Sequence, residues 1–519
     1  MKKNILLSIF LIAIVLKSQG AIRYVTPSGA GSLNGTSWAN AFPGTSLQVA
    51  ITASGIGDEV WVAAGTYYTT TTNTRTISFS MKNDVIIYGS FTGTETLSSQ
   101  RILTSGLTSI LSGEIGAAGI GDNSYHTISN ANLNNTAIID GFIIRDANDN
   151  RPSSLTDGLG GGIYNNGNGV GNQCSPTIRN CVILNNQAAF GAGIFNNGYN
   201  GGNASPIISN CVISTNTATT GGGGLDNFGV AGIASPTITN CVFYNNTATQ
   251  RAGGMYCWGG NSGNANPTVL NTAFVNNAAV DGGGVVSDRL NTSAGSSGNS
   301  NPNFRNCIFW GNTASGTGPQ FFNLGGATFA ATYSDINLTG QSSPHIVSGP
   351  GTSNINLNPL FLNIVLGIGA DGNWMTTDDG LQLQSSSPCI NVGDNTGVTL
   401  TDILSNNRIF NSTVDMGAYE FVSTTTSVSE NNMLNIDVVL YPNPTSNILN
   451  LTFKNTETDN IVLALFDITG RLVNTIYQGQ IAIGTYNYQV DLSQQKCGIY
   501  FLSLKTTNRV YMRKIIRTE

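Results

Sequence analysis

Pro176-Thr-Ile-Arg-Asn-Cys-Val-Ile-Leu-Asn-Asn186 returns as Pro206-Ile-Ile-Ser-Asn-Cys-Val-Ile-Ser-Thr-Asn216 and as Pro236-Thr-Ile-Thr-Asn-Cys-Val-Phe-Tyr-Asn-Asn246, with looser copies beginning at Pro267 and Pro302. Between the copies runs a second repeated element: Gly160-Gly-Gly-Ile-Tyr164, Gly191-Ala-Gly-Ile-Phe195, Gly222-Gly-Gly-Leu-Asp226, Ala252-Gly-Gly-Met-Tyr256 and Gly282-Gly-Gly-Val-Val286. The period is 30 or 31 residues, stretching to 35 before Pro302. A fixed period in this range marks a stacked array in which each unit buries its apolar face against its neighbours. Runs such as Thr237-Ile-Thr and Val242-Phe-Tyr are β-rich and broken by Asn or Gly too soon for a helix. The pattern predicts an all-β parallel solenoid with three short strands per coil.

Stacking at the ~4.8 Å spacing of parallel strands gives each repeated residue a role. One Asn precedes the Cys position (Asn180, Asn210, Asn240, Asn271, Asn306) and another ends the second strand (Asn186, Asn216, Asn246, Asn277, Asn312), so both sets can form amide ladders along the axis. The same register stacks Ile183, Ile213, Phe243, Phe274 and Phe309 inside, each contributing roughly 1.5 to 3 kcal/mol when fully buried. Cys181, Cys211, Cys241 and Cys307 are equivalent in the repeat, which favours stacked buried thiols over bridges; Cys174, Cys257, Cys389 and Cys497 stay unassigned. Upstream, Val60-Trp-Val, Val85-Ile-Ile and Ile110-Leu-Ser lie 25 residues apart and continue the solenoid, and Ile138 to Ile144 leads into the longer coils. Open terminal coils need covers, for which 21–58 and 346–421 are the candidates.

The 519 residues are 40% apolar and only 10% charged, too hydrophobic for a disordered chain. Residues 21–425 carry 21 acids against 10 arginines and one lysine, Lys82, for a balance of -10, whereas 426–519 carry 7 acids and 8 bases. Two differently composed bodies share the chain, and neither offers a basic surface for nucleic acid. Lys2 and Lys3, the apolar run Ile5–Leu16 and the small-residue site before Ala21 read as a cleaved signal peptide over residues 1–20. No later segment approaches the ~20 apolar residues of a spanning helix, so no transmembrane insertion is expected.

The Gly-Gly-x-Ile and Phe-x-x-Asn pairs (Phe243 to Asn246, Phe274 to Asn277, Phe309 to Asn312) resemble the repeats of right-handed parallel β-helix proteins, including the polymorphic outer-membrane adhesins. Tyr24-Val-Thr-Pro, Gly35-Thr-Ser-Trp-Ala-Asn-Ala-Phe42 and Gly65-Thr-Tyr-Tyr68 are similar to the start of secreted bacterial β-helix proteins. Asn358-Pro-Leu-Phe361, Thr377-Asp-Asp-Gly-Leu381, Ser387-Pro-Cys-Ile390 and Val414-Asp-Met-Gly-Ala-Tyr-Glu420 are similar to their usual ending. The resemblance spans residues 21–421 and implies a right-handed β-helix passenger, without the membrane barrel of the adhesins.

After a polar linker, 422–433, alternating strands begin, among them Ile448-Leu-Asn-Leu-Thr-Phe453 and Ile499-Tyr-Phe-Leu-Ser-Leu504, and predict a small β-sandwich over 434–519. Tyr441-Pro442-Asn443-Pro444, Phe466-Asp-Ile-Thr-Gly470-Arg471, Gly498-Ile-Tyr500 and the basic end with Lys514 resemble the C-terminal sorting domain of the type IX secretion system of Bacteroidetes. The resemblance implies passage through the periplasm to the outer cell surface or the medium, with the secretion machinery as partner. An immunoglobulin-like binding module is the alternative reading.

If Ile163, Ile194, Leu225, Met255 and Val285 face inward, alternation turns Tyr164, Phe195, Asp226, Tyr256 and Val286 outward, followed by Asn166, Asn197, Phe228, Trp258 and Asp288. Sugar rings stack on aromatic faces while carboxylates and amides hold their hydroxyls, so Tyr164, Phe195, Asp226, Phe228, Tyr256, Trp258 and Asp288 form the candidate ligand strip. The competing reading places these rings beneath the Gly/Asn-rich loops that follow them. An enzyme would need two carboxylates about 5 to 10 Å apart. Asp226 and Asp288, two coils apart and two residues offset, come out roughly 12 Å apart from the strand spacing. Lys82, Arg251 and Arg289 are the single candidates for a lyase base, and neither His126 nor His345 has an evident paired acid or nucleophile. Asp371, Asn373, Asp378 and Asp379 make an oxygen-rich set that suits Ca²⁺, against the reading of a polar turn; no other cofactor is implied. The expected function is a non-catalytic adhesive or polysaccharide-binding surface protein, with a polysaccharide lyase or hydrolase, or a structural spacer, as alternatives.

Overall fold

The computed structural model describes residues 20–154, 157–290, 297–341, 353–422, 439–455, 458–468, 471–506 and 510–518. The signal peptide, most of the linker, His345 and Gly470 lie outside them. The chain divides after Val422 into two compact units.

The first unit is a parallel β-solenoid whose strands gather into sheets of eleven, nine, seven and five strands. The coil that begins at Ile163 shows why. Ile163–Asn166 joins the seven-stranded sheet, Thr177–Arg179 the eleven-stranded, Val182–Leu184 the nine-stranded and Gln187–Phe190 the five-stranded. The five coils that begin at Ile163, Ile194, Leu225, Met255 and Val285 therefore have four strands each, not the expected three. The missed one is short because Thr217-Ala-Thr and Thr247-Ala-Thr carry a single buried alanine each, too small to announce a strand by its apolar pattern.

The corners are made by asparagine. Asn180, Asn210 and Asn240 sit at φ of 52°, 51° and 52°, in the left-handed region that Asn tolerates better than other residues with a Cβ. Their amides bond from coil to coil, Asn210 to Asn180 at 3.2 Å and Asn240 to Asn210 at 3.0 Å. The second ladder is fully buried: Asn186 donates to Asn216 at 3.0 Å, Asn216 to Asn246 at 3.0 Å, Asn246 to Asn277 at 2.9 Å and Asn277 to Asn312 at 2.9 Å. Ile183, Ile213, Phe243, Phe274 and Phe309 pair in register and are all buried, with the three rings stacked at 4.6 and 4.9 Å. Seven of the eight cysteines are buried free thiols; Cys497 is exposed.

Three expectations change. Ile110 does not continue the row of Val60 and Val85: Ser109–Ser112 belongs to the nine-stranded sheet, while Ile138–Asp140 follows Ile86–Phe91 in the eleven-stranded one. At the start, 21–58 is part coil and part cover, since Ile22–Thr26 pairs with Glu59–Ala63 and the helix Leu47–Ala53 buries Leu47, Ala50 and Ile51. The described part of the ending pairs with the last coil at Ile355, opposite Asp335, and then runs as a strap along the outside of the nine-stranded sheet. There Val182, Val212, Val242, Ala273 and Ile308 point outward and pack against Trp374, Met375, Leu381, Ile403 and Met416. Tyr244 and Asn276 hold the strap by bonding the carbonyl of Ile364 at 3.1 and 2.9 Å. A strand apolar on both faces is one that is covered on both.

The second unit is a β-sandwich of a three-stranded and a four-stranded antiparallel sheet, with Leu449, Leu451, Phe453, Leu463, Leu465, Leu502 and Leu504 between them.

Candidate functional site on the seven-stranded sheet

Strand alternation on the seven-stranded sheet is as the repeat predicts, and each face has its own chemistry. Inward, Asn130, Asn165, Asn196 and Asn227 form a third amide ladder at 2.9 to 3.0 Å, which the sequence reading missed because Asn130 lies outside the regular period. Outward, Tyr164, Phe195, Asp226, Tyr256 and Val286 pair in one column, with Phe228, Trp258 and Asp288 in the next.

The outward column is not open to solvent. Tyr164, Phe195 and Tyr256 are 8%, 2% and 2% exposed, Phe228 9% and Asp288 8%, while Asp226 is wholly enclosed. Only Trp258 of the strip remains half-buried. The reason is packing between coils: rings at the coil spacing cover one another, and Phe190 from the five-stranded sheet, with Leu159, Tyr199 and Val230 from the flanking segments, closes over them. Phe190 and Tyr199 were not singled out from the sequence, because the repeated Gly-Gly-x-Ile element does not reach either position. His126 also joins the site, with its ring on Tyr164 at 5.3 Å and Nδ1 at 2.7 Å from the carbonyl of Gly160.

The acids in this strip have unequal surroundings. Asp288 accepts a 2.9 Å hydrogen bond from the Tyr256 hydroxyl and faces Arg251 at 3.7 Å. Asp226 has no hydrogen-bond partner on either oxygen. Burial raises its pKa well above the usual carboxylate range, and the nearby charge of Asp288 adds to the effect, so the side chain is held protonated. The indole Nε1 of Trp258 is likewise buried without a partner. Three unsatisfied polar atoms in one cluster call for a physical reason, since such groups are normally paired.

The other sequence candidates do not converge. Asp378 accepts from the backbone N–H groups of Ala370 and Asp371 at 2.7 and 3.0 Å, Asp371 from that of Asn373 at 2.8 Å, and buried Asp379 from Met375 N–H and the Tyr419 hydroxyl at 3.0 and 2.8 Å. These side chains brace their own turn and the strap. Among the described residues no three His, Cys, Asp or Glu side chains are grouped to hold a metal. Lys82 bonds the carbonyls of Thr52 and Ser54, and Arg289 that of Gly325, so neither belongs to the strip's acid cluster.

Comparison with known proteins bears on the second unit. Residues 439–518 match the family described as the secretion system C-terminal sorting domain. The C-terminal unit is a type IX sorting domain. In the sorting domain the motif residues lie close to the basic last strand: Asn443 donates to the carbonyl of Lys514 at 2.8 Å and accepts from the N–H of Ile516 at 2.9 Å. The carbonyl of Tyr441 accepts from Asn450, and the hydroxyl of Tyr500 bonds the carbonyl of Lys496 at 2.8 Å, two residues before Gly498. Pro442 and Pro444 follow cis peptide bonds. The sorting domain directs export to the cell surface or the extracellular space, and no described helix is long and apolar enough to cross a membrane. Among solved structures, the enzymatically active domain of tailspike protein 4 of bacteriophage CBA120 is similar at 11% identity and a TM-score of 0.21, over 90% of this chain and 65% of that one. The chain thus spans about two-thirds of the tailspike domain. No curated protein matches it.

Proposed function

We propose that the exported solenoid binds polysaccharide at or beyond the cell surface through the outward strip of its seven-stranded sheet. The observation that carries this reading is the coincidence, around Trp258, of unsatisfied polar atoms with a run of aromatic rings: Tyr164, Phe195, Phe228 and Trp258 succeed one another at 6.0, 6.2 and 5.2 Å. Half-buried Trp258 offers a ring face to a sugar at the open edge of this run, and once the enclosed rings part, the unpaired carboxyl oxygens and indole N–H supply partners for hydroxyls. Adhesion to a neighbouring cell is the same chemistry when the polysaccharide is on that cell's surface.

A second reading, cleavage of the bound chain, is favoured by one feature: burial keeps Asp226 protonated, the state in which a carboxyl can act as a general acid, and the charge of Asp288 reinforces it. The two readings separate in one experiment. The purified full chain is incubated with a broad panel of polysaccharides, and both retention and new reducing ends are measured. Retention without new ends supports binding; new ends on any substrate establish turnover; neither, across the panel, rejects the strip. Export has its own test. Deleting residues 434–519 should leave the passenger in the periplasm, and normal appearance of the truncated protein outside the cell would contradict the role of the sorting domain.

A further inference from the structure

Asp226 sits among aromatic side chains. Its strand neighbours on the two adjacent coils are Phe195 and Tyr256, and Phe228 lies two residues along on the same face. Trp258 joins these rings into an arc that runs from one neighbour of Asp226 to the other: Phe195 meets Phe228 at 6.2 Å, Phe228 meets Trp258 at 5.2 Å, and Trp258 stacks on Tyr256 at 5.2 Å with 16° between planes. Phe190, from the coil below, reaches over to Trp258 at 5.8 Å. Both oxygens of the enclosed acid lack a hydrogen-bond partner. Arg251 is directed to Asp288 and the Tyr256 hydroxyl, at 3.7 and 3.5 Å, and makes no ion pair with Asp226.

An unpaired carboxyl in an aromatic surround is matched by one kind of group. A hydroxyl would satisfy one oxygen, but an ammonium satisfies both the charge and the hydrogen bonds of a carboxylate while its positive charge is attracted to the negative faces of the rings. A second, independent observation points the same way: residues 21–425 carry a balance of -10 with a single lysine, a field that concentrates cations at the passenger and repels polyanions.

We propose that the Asp226 box receives the ammonium group of a glycan with free amines, an amino-sugar polymer of the glucosamine type. The inference rests on the reading of the strip as a polysaccharide site and names its substrate class. In the free protein the proton on Asp226 stands in for the ligand's charge. On binding, the ammonium takes its place, the proton leaves to solvent, and the rims of the box, Phe190 and half-buried Trp258, part to admit the sugar. Asp288, Tyr256 and Arg251 form the wall toward the next coil and keep their own bonds.

The test uses the purified full chain and three β-1,4-linked hexasaccharides that differ only at C2: glucosamine, N-acetylglucosamine and glucose. Affinity is measured by calorimetry, and entry into the box by the change in indole emission that is lost in Trp258→Phe. The glucosamine hexamer should bind about tenfold or more tightly than the other two. In Asp226→Asn, which keeps shape and removes the ionisable group, the three should fall within about twofold of one another at an unchanged melting temperature or a higher one. Equal affinities in the wild type, no binding of the glucosamine hexamer, or a preference that survives Asp226→Asn would overturn the proposal, the last by tracing it to overall charge. Equal binding that is lost in Tyr256→Ala with Trp258→Ala would sink the ammonium assignment while leaving the strip as a polysaccharide site. Retention of other polysaccharides with no hexamer bound would do the same.

Discussion

The two faces of the seven-stranded sheet are built on the same strands in the same register, and they treat polar groups in opposite ways. Inward, like stands on like: Asn130, Asn165 and Asn196 each donate to the amide of the next coil, the last of them to Asn227. Outward, the column changes identity at every step, from Tyr164 to Phe195 to Asp226 to Tyr256, and Asp226 finds no partner. Identity along a column satisfies hydrogen bonds and specifies the stack; departure from identity leaves polar atoms free for something else. The strip is where this solenoid departs from its own repeat.

Breaking the inner face should have the largest effect. Ile213→Asp puts a carboxylate at a position with no exposure and no cation opposite it, and the expected outcome is loss of the cooperative fold, read by far-UV circular dichroism and protease resistance. A soluble, protease-resistant variant would contradict the inward assignment of that column. Asn216→Ala removes the amide between Asn186 and Asn246, and with it the acceptor of the buried Asn186 backbone N–H and a donor to the Ile183 carbonyl, which should cost about 2 to 4 kcal/mol in denaturant unfolding. A cost no larger than that of an exposed substitution would mean the ladder contributes little.

The outer face should respond with the opposite sign. Asp226→Asn replaces an unbonded acid that burial already holds uncharged, so stability at neutral pH should rise slightly. Its pH dependence sharpens the comparison. Because the folded pKa is raised above the unfolded value of 3.8, the native state holds a proton that the unfolded chain releases, so the wild type loses stability as pH rises above about 4 and toward the folded pKa. Asp226→Asn should remove that part of the slope. An identical slope in the variant would mean that other buried acids, such as Asp379, pushed up to about 7 by burial, and Glu420, pushed up to about 8, account for it alone.

Much of this was legible before any coordinates. The period, the Asn186–Asn312 ladder, the Phe243–Phe274–Phe309 stack and the alternation of the strip follow from repeated residues at fixed spacing, because parallel stacking converts sequence equivalence into contact, whereas the Asn180 ladder stops at Asn240 because Asn271 turns to the carbonyl of Asp415 in the strap. What failed was inference about cover. Outward was equated with exposed for Tyr164, Phe195 and Tyr256, although large rings one coil apart shield one another. Likewise Val182, Val212 and Val242 face outward but lie beneath a strap more than a hundred residues downstream, a long-range contact that no local period encodes. The short fourth strand escaped because its inward residue is alanine, and the bonds by which the carboxylates of the turn at 371–379 hold their own backbone depend on a loop conformation that no repeat encodes.

The most direct measurement sets one face against the other in the same assay. Polysaccharide retention and melting temperature are recorded together for the full chain, for Tyr256→Ala combined with Trp258→Ala, and for Asn216→Ala. The account predicts that the outer pair loses retention and stays folded at the assay temperature, whereas Asn216→Ala melts earlier yet binds normally below its transition. Retention unchanged in the outer pair, or lost in both variants only in step with unfolding, would contradict the assignment of function to the outward strip.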